Sequence, residues 1–255
     1  MNLNFNKKVA ESYTSNSQKA RVLSEYWVLN KIYCPSCGDN IHNYYNNKPV
    51  ADFYCKKCSE DFELKSKKGK IGKKVSAGAY YQMIKRINSA KKPNFFFMGY
   101  LVESFRVNDF FIVPKHFFVP GVVERRKPLA QTAKRAGWVG SNILFSKIPK
   151  VGQIFYIKDG KEINKKDVLE KWQKTIFLKQ IKKSEAKGWI LDIMNCIDSL
   201  NKKEFNLEEM YKFENNLSIM HPKNKNIKPK IRQQLQLLRS KYYLEFTGRS
   251  SYKLK

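Results

Sequence analysis

The sequence predicts an α/β domain followed by a smaller helical domain that ends in a β-hairpin. Short aromatic and β-branched runs recur from residue 53 to about residue 157 with Gly, Pro and Asn between them, which is typical of strands. Segments with helical periodicity flank these runs, and from Gly188 onward three helical segments precede a hairpin-like tail. A length of 255 residues suits one large or two modest domains. We expect the two domains to span residues 1–180 and 188–255.

The elements of the first domain follow from local patterns. We expect a helix over about residues 7–26, interrupted by the polar stretch TSNSQ, and a second over about residues 77–90. The predicted strands are DFYC, DFELK, PNFFFMGYL, VNDFFIVP and GQIFYIKDG. The Lys-rich stretch DVLEKWQKTIFLKQIKKSEAKG, which comes after Asp159, is interpreted as a connecting helix and a linker.

The second domain is predicted to contain three helices and a hairpin. WILDIMNCIDSL has one apolar face, on which Cys196 is a core residue. Asn206 and Glu209 have the spacing of a helix cap ahead of LEEMYKFENNL. Residues 228–240 place their apolar positions inward, at Ile231, Leu235 and Leu238. The tail YYLEFTGRSSYKLK is predicted to form two strands, and three helices closed by such a wing favour a winged helix.

The charge of the chain indicates a polyanionic partner. Fifty Lys and Arg residues against 22 Asp and Glu leave a net charge of +28, which favours a nucleic acid. The longest apolar run, residues 94–102, has about half the roughly 20 residues that a membrane span needs. The N-terminus shows no apolar signal core, and KKGKIGKKV lacks the spacing of a phosphate-binding loop. We therefore expect a cytoplasmic protein with no membrane partner and no nucleotide cofactor.

Four of the five cysteines form the pairs CPSC and CKKC, with residues 38–54 between them. This spacing is typical of a four-thiolate zinc site made by Cys34, Cys37, Cys55 and Cys58. Such a site is structural, because four protein ligands leave no open position for water.

Two carboxylates and a lysine lie next to the second cysteine pair. The strand DFELK alternates, so Glu63 and Lys65 share one face while Phe62 and Leu64 point into the core. Asp52, in the run Pro49-Val-Ala-Asp, precedes Glu63 with ten residues between them. Asp and Glu suit a magnesium ion, and a lysine beside them can orient water and stabilise negative charge.

Several segments closely resemble the DpnI-type methyl-directed restriction endonucleases. They are SNSQKARVLSEYWV, CPSC, PVADFYC, CKKC, FELKSKKG, PNFFF, RRKPLAQTAKRAGWVGSNI and IRQQLQLLR, and together they cover almost the whole chain. The resemblance implies a PD-(D/E)xK nuclease core with an inserted four-cysteine zinc site, a C-terminal winged helix, and magnesium-dependent cleavage of duplex GATC sites carrying N6-methyladenine. It implies that Asp52 and Glu63 bind the metal and that Lys65 is the catalytic lysine. Asp52 follows Ala51 rather than a proline, since Pro49 lies earlier.

The expected DNA contacts come from two segments of the chain. We expect the protein to be a monomer. Residues 125–142 combine cations with Trp138 between two glycines, a flat apolar surface for a methyl group on a base edge, although a lone tryptophan more commonly fills the core. In the second domain, cations and amides line the last helix and the hairpin. The candidate residues are Arg126, Lys134, Arg135, Trp138, Lys228, Lys230, Arg232, Gln233, Gln236 and Arg249. Two other functions stay open: a non-catalytic zinc-containing winged-helix regulator, and a repair or junction nuclease.

Overall fold

The computed structural model describes residues 1–44 and 51–255, so Pro49 of the sequence motif lies outside the described residues. The chain divides into two compact units. Unit 1 comprises Met1–Ser146 and Val151–Thr175, and unit 2 comprises Lys147–Lys150 and Ile176–Lys255.

Unit 1 is built on two β-sheets. Its strands are β1 (His42–Asn43), β2 (Phe53–Tyr54), β3 (Asp61–Lys68), β4 (Lys74–Ala79), β5 (Asn94–Leu101), β6 (Arg106–Val113), β7 (Val123–Arg125), β8 (Gly140–Leu144), β9 (Ile154–Lys158) and β10 (Lys161–Glu162). The larger sheet has the order β1-β2-β3-β5-β6-β9-β10, and the smaller has the order β4-β8-β7. Only β3 and β5 pair in parallel, while the other described pairs are antiparallel. All five predicted strand segments are therefore confirmed.

The centre of the core is β5, in which Asn94 to Tyr100 are all buried. Its continuous apolar run fits a strand that is covered on both faces. Phe96 stacks on Phe62 of β3 with the ring centroids 4.9 Å apart, and it also contacts Phe110 of β6. The core thus fixes β3 against β5, with the alternate side chains of β3 left at its surface.

The helices of unit 1 are shorter than the sequence predicted. They are α1 (Asn16–Lys31), α2 (Tyr80–Asn88) and α3 (Lys165–Gln173), with 3₁₀ turns at Lys7–Ala10, Lys115–Phe117, Pro120–Val122, Phe145–Lys147 and Lys150–Gly152. The prediction of helix over 7–26 was wrong before residue 16, since only one 3₁₀ turn precedes the polar stretch. The second helix starts at Tyr80 rather than Ala77 because the backbone before it is hydrogen-bonded to β8.

Unit 2 has four helices and a three-stranded sheet. They are α4 (Ser184–Ser199), α5 (Leu207–Tyr211), α6 (Glu214–Met220), α7 (Ile227–Ser240), β11 (Glu204–Asn206), β12 (Leu244–Gly248) and β13 (Ser251–Leu254), after a 3₁₀ turn at Ile176–Gln180. The sheet order is β11-β13-β12, so the predicted hairpin gains a third strand. The expected connecting helix is broken into α3, the 3₁₀ turn and the start of α4. Among the described residues, no helix is both long and apolar enough to cross a membrane.

Local predictions for unit 2 hold in detail. Asn206 and Glu209 form a reciprocal capping box, although the helix that they cap ends at Tyr211 and a second helix follows. Cys196 is buried on α4. The residues predicted to point inward from α7, Ile231, Leu235 and Leu238, are all fully buried.

Candidate active site and DNA-contacting surfaces

The β2–β3 hairpin brings Asp52 beside Glu63. The strands pair with Phe53 opposite Phe62, and the backbone N–H of Asp52 donates to the carbonyl of Phe62 over 2.9 Å. The backbone N–H of Leu64 donates to Oδ2 of Asp52 over 2.7 Å, which fixes this carboxylate against β3. The residues that separate the two acids include the second cysteine pair, which lies in the hairpin loop. A loose spacing in sequence thus becomes close packing in space.

Glu63 and Lys65 lie on one face of β3, as the strand alternation predicts. Nζ of Lys65 lies 2.5 Å from Oε1 of Glu63, and their side chains are 25% and 13% exposed. Phe62 is fully buried, whereas Leu64 is half-buried. The strand therefore presents one acid and one base together at a partly exposed site.

Burial raises the pKa of Asp52 above its ordinary value. The hydrogen bond from the Leu64 N–H lowers this pKa, the negative charge of Glu63 raises it, and the positive charges of Lys65 and Arg86 lower it. The net shift is upward. Two carboxylates that lie this close together are suited to holding a cation between them.

Two residues that the sequence did not single out also belong to this cluster. Arg86 of α2 places NH1 2.9 Å from Oε2 of Glu63. Glu25 of α1 has a raised pKa, which is caused by burial, opposed by Arg21, and raised further by the charge of Asp52. Glu25 comes from α1, which packs against β3, and Arg86 comes from α2, which packs against the smaller sheet, so no local sequence signal marks either residue.

The four paired cysteines converge on one point. Their sulfur atoms all lie within 4.8 Å of one another. Sγ of Cys34 is 3.4 Å from Sγ of Cys58, and Sγ of Cys37 is 3.5 Å from Sγ of Cys55. Tetrahedral zinc with bonds of about 2.3 Å holds its sulfurs about 3.8 Å apart, whereas a disulfide would need about 2 Å. All four are free thiols, so the donor set fits zinc.

The cysteine cluster is tied to β3 by short backbone links. The N–H of Cys55 donates to the carbonyl of Glu60 over 2.9 Å. Glu60 is buried, and its Oε2 accepts from Asn94 and pairs with Lys115, both at 2.9 Å. Because Glu60 directly precedes β3, this hydrogen bond links the cysteine cluster to the strand that carries Glu63.

The Trp138 loop, residues 126–139 between β7 and β8, presents a half-buried indole. The N–H of Leu129 donates to the carbonyl of Trp138 over 3.0 Å, and the guanidinium of Arg135 lies over the indole, 4.7 Å from its centroid. Arg126, Lys134 and Arg135 are exposed. Trp138 is therefore only partly buried, and the guanidinium of Arg135 covers part of its ring.

In unit 2, α7 presents a polar outer face. Arg232, Gln233 and Gln236 are exposed on it. Lys230 is half-buried, with its Nζ 2.7 Å from Oε1 of Gln233. Lys228 is exposed and pairs with Glu214 over 3.4 Å. Arg249 is exposed in the turn between β12 and β13.

Two family models match the chain, one in its N-terminal part and one in its C-terminal part. Residues 1–181 match the DpnI model, described as the Dam-replacing family, and residues 185–254 match the DpnI C-terminal model, described as the Dam-replacing HTH domain. Together the matches cover nearly the whole chain, and the chain belongs to this family. The resemblance drawn from the sequence is thereby confirmed, as is an α/β fold with a C-terminal helix-turn-helix domain. Membership implies a methyl-dependent restriction endonuclease, and the C-terminal domain implies DNA binding.

Proposed function

We propose that this chain is a magnesium-dependent type II endonuclease that cleaves double-stranded DNA at GATC sites carrying N6-methyladenine. The observation that carries the proposal is the convergence of Asp52, Glu63 and Lys65 at β3. A protein that only binds DNA has no use for two adjacent carboxylates beside a lysine. Family membership supports the same chemistry, and a PD-(D/E)xK core is the proposed form of unit 1.

Asp52 and Glu63 are proposed to hold the magnesium ion, since oxygen ligands from carboxylates suit this hard cation. When bound, the ion supplies charge neutralisation at the phosphate and lowers the pKa of bound water. The Leu64 N–H holds the Asp52 carboxylate in place, so this side chain loses little conformational freedom when the ion binds. Lys65 is proposed to orient the attacking water and to donate to the negative charge that develops on the phosphate.

The cysteine cluster is proposed to hold one structural zinc ion. Its role is to close the β2–β3 hairpin between Asp52 and Glu63, because Cys55 and Cys58 lie between those two residues. The link from Cys55 to Glu60 gives this closure a direct path to β3.

Methyl sensing is proposed for the Trp138 loop. An N6-methyl group adds a small apolar patch to the major-groove edge of adenine, so its reader needs apolar contact rather than a new hydrogen bond. Contacts with phosphates cannot distinguish it. The partly exposed indole of Trp138 offers the apolar surface, and exposed Arg126, Lys134 and Arg135 of the same loop are proposed to contact the DNA backbone.

In unit 2, α7 and the hairpin turn are proposed to contact DNA as a winged helix. Exposed Arg232, Gln233 and Gln236 are the candidates for base contacts. Lys228, Lys230 and Arg249 are the candidates for phosphate contacts, although Lys228 must first leave Glu214.

We propose domain limits of 1–180 and 188–255 and a monomeric chain.

The test uses two copies of one plasmid, one grown with adenine methylation at GATC and one without. Wild-type protein with magnesium should cut only the methylated copy, and Glu63→Gln should cut neither while still binding both. Binding without cleavage by the wild type would instead identify a regulator. Cleavage directed to branched DNA, whatever its methylation, would identify a repair or junction nuclease.

A further inference from the structure

Glu63 is held between two cations. Oε1 lies 2.5 Å from Nζ of Lys65, and Oε2 lies 2.9 Å from NH1 of Arg86. Lys65 is on the same strand, whereas Arg86 reaches across from α2. The Arg86 side chain is 29% exposed, so it is partly open to solvent.

Asp52 lies next to the carboxylate that Arg86 contacts. Its Oδ2 accepts from the backbone N–H of Leu64, the residue after Glu63, over 2.7 Å. The guanidinium of Arg86 therefore approaches the cluster at which both acids converge. A divalent cation held by these acids would bring a second positive charge to the same cluster.

We infer that Arg86 fills the cation position between Asp52 and Glu63 until a divalent ion binds, and then turns to an oxygen of the DNA phosphate. The inference rests on the proposed function of this site. Arginine suits both roles, because its planar donors match a carboxylate or a phosphate in the same bidentate way. Arg86 thereby keeps the two acids from repelling each other in the metal-free protein.

A purely structural role for Arg86 predicts something different. If the ion pair only attaches α2 to β3, its loss would loosen the cluster and weaken cation binding. If Arg86 competes with the cation, its loss should strengthen cation binding and still slow cleavage. The sign of the change in metal affinity separates the two roles.

The test measures Mn²⁺ binding to the full chain without DNA, by electron paramagnetic resonance. Glu63→Gln identifies the signal that belongs to this site. Arg86→Ala should bind Mn²⁺ about tenfold more tightly than wild type, because a competing positive charge has been removed. Arg86→Met keeps the aliphatic stem and should show the same tighter binding. It takes the place of the alanine variant if that variant folds poorly. Lys85→Ala removes the same charge from the exposed neighbouring position and should leave the affinity within about twofold.

Cleavage of methylated DNA at saturating Mg²⁺ gives the second readout. Arg86→Ala should be slower by about 100-fold, as expected when one donor to a developing negative charge is lost, and Arg86→Lys should recover part of the rate. Unchanged or weaker Mn²⁺ binding in both Arg86→Ala and Arg86→Met would overturn the competition, and a wild-type cleavage rate would overturn the phosphate contact. If wild type cuts no DNA while the tighter Mn²⁺ binding is found, the nuclease proposal fails and the competition stands.

Discussion

Gly140 determines how closely the indole of Trp138 packs on the backbone of β8. A Cβ atom at Gly140 would lie 2.8 Å from Cζ3 and 2.9 Å from Cη2 of Trp138. Ordinary carbon contacts are about 3.5–4.0 Å, so Gly140→Ala should push the ring outward by roughly 0.8 Å. The backbone of Gly140 is not in the left-handed region, so alanine itself is tolerated there.

The displacement should weaken the proposed methyl contact by a calculable amount. Burying one methyl group contributes about 0.8 kcal/mol, which is about fourfold in affinity and about fifteenfold for two methyl groups. A ring moved by most of an ångström loses close packing against such a small group. We therefore expect Gly140→Ala to lose up to about fifteenfold of the preference for doubly methylated DNA.

The assay compares cleavage rates on methylated, hemimethylated and unmethylated duplexes of one sequence. Gly78→Ala is the matched control, because Gly78 lies at an exposed position of β4 in the same small sheet, where an added Cβ would meet open space. Thermal unfolding should show that both variants fold. If Gly140→Ala and Trp138→Ala both fold and keep the wild-type methyl preference, the Trp138 loop is not the sensor and methyl sensing belongs to unit 2.

Four further predictions follow from the site. Glu63→Gln and Lys65→Ala should each abolish cleavage and leave DNA affinity within about threefold in a filter-binding assay, because their roles act on the metal and the transition state. Elemental analysis should find about one zinc per wild-type chain, and Cys55→Ser should lose both the zinc and cleavage. Arg249→Ala should lower the slope of log affinity against log salt by about one, because exposed Arg249 is a proposed phosphate contact. Asp52→Asn should be more stable than wild type to urea at pH 7, and the difference should vanish below the ordinary pKa of 3.8. The pKa of Asp52 is higher in the folded protein than in the unfolded chain, so protonation of Asp52 stabilises the folded state at low pH. This stabilisation is lost as the pH rises through the raised pKa, and asparagine, which carries no charge, does not lose it.

The candidate site was predictable wherever its residues belong to one local element. Strand alternation places Glu63 and Lys65 on one face, and their contact across 2.5 Å follows from it. Asp52 joins them because a hairpin closed by a cysteine pair has a defined register. Arg86 and Glu25 come from helices, and their positions depend on how α2 packs on the smaller sheet and α1 on β3, which short sequence patterns do not encode.

The helix boundaries also depend on tertiary contacts that short sequence patterns do not encode. The stretch before Tyr80 was predicted to be helical as the start of a segment in which Tyr80, Ile84 and Ile87 have helical spacing, but β8, far along the chain, supplies hydrogen bonds to this stretch. Tertiary pairing therefore overrides local preference there. In unit 2, by contrast, the Asn206 cap and the inward face of α7 depend on neighbours within one or two turns, and both were predicted correctly.

Helix α2 connects the proposed methyl reader with the proposed site of chemistry. Its first residue, Tyr80, donates its backbone N–H to the carbonyl of Val139, next to Trp138, over 3.0 Å. Near its other end, Arg86 pairs with Glu63. From Tyr80 to Arg86 the helix rises by about 9 Å. One short element thus lies between the proposed base reading and the proposed phosphate chemistry. On the proposed roles, a shift of the Trp138 loop would act on Arg86 through α2, which carries Arg86 and bonds to Val139, and the methyl group would then influence the rate of cleavage as well as the affinity.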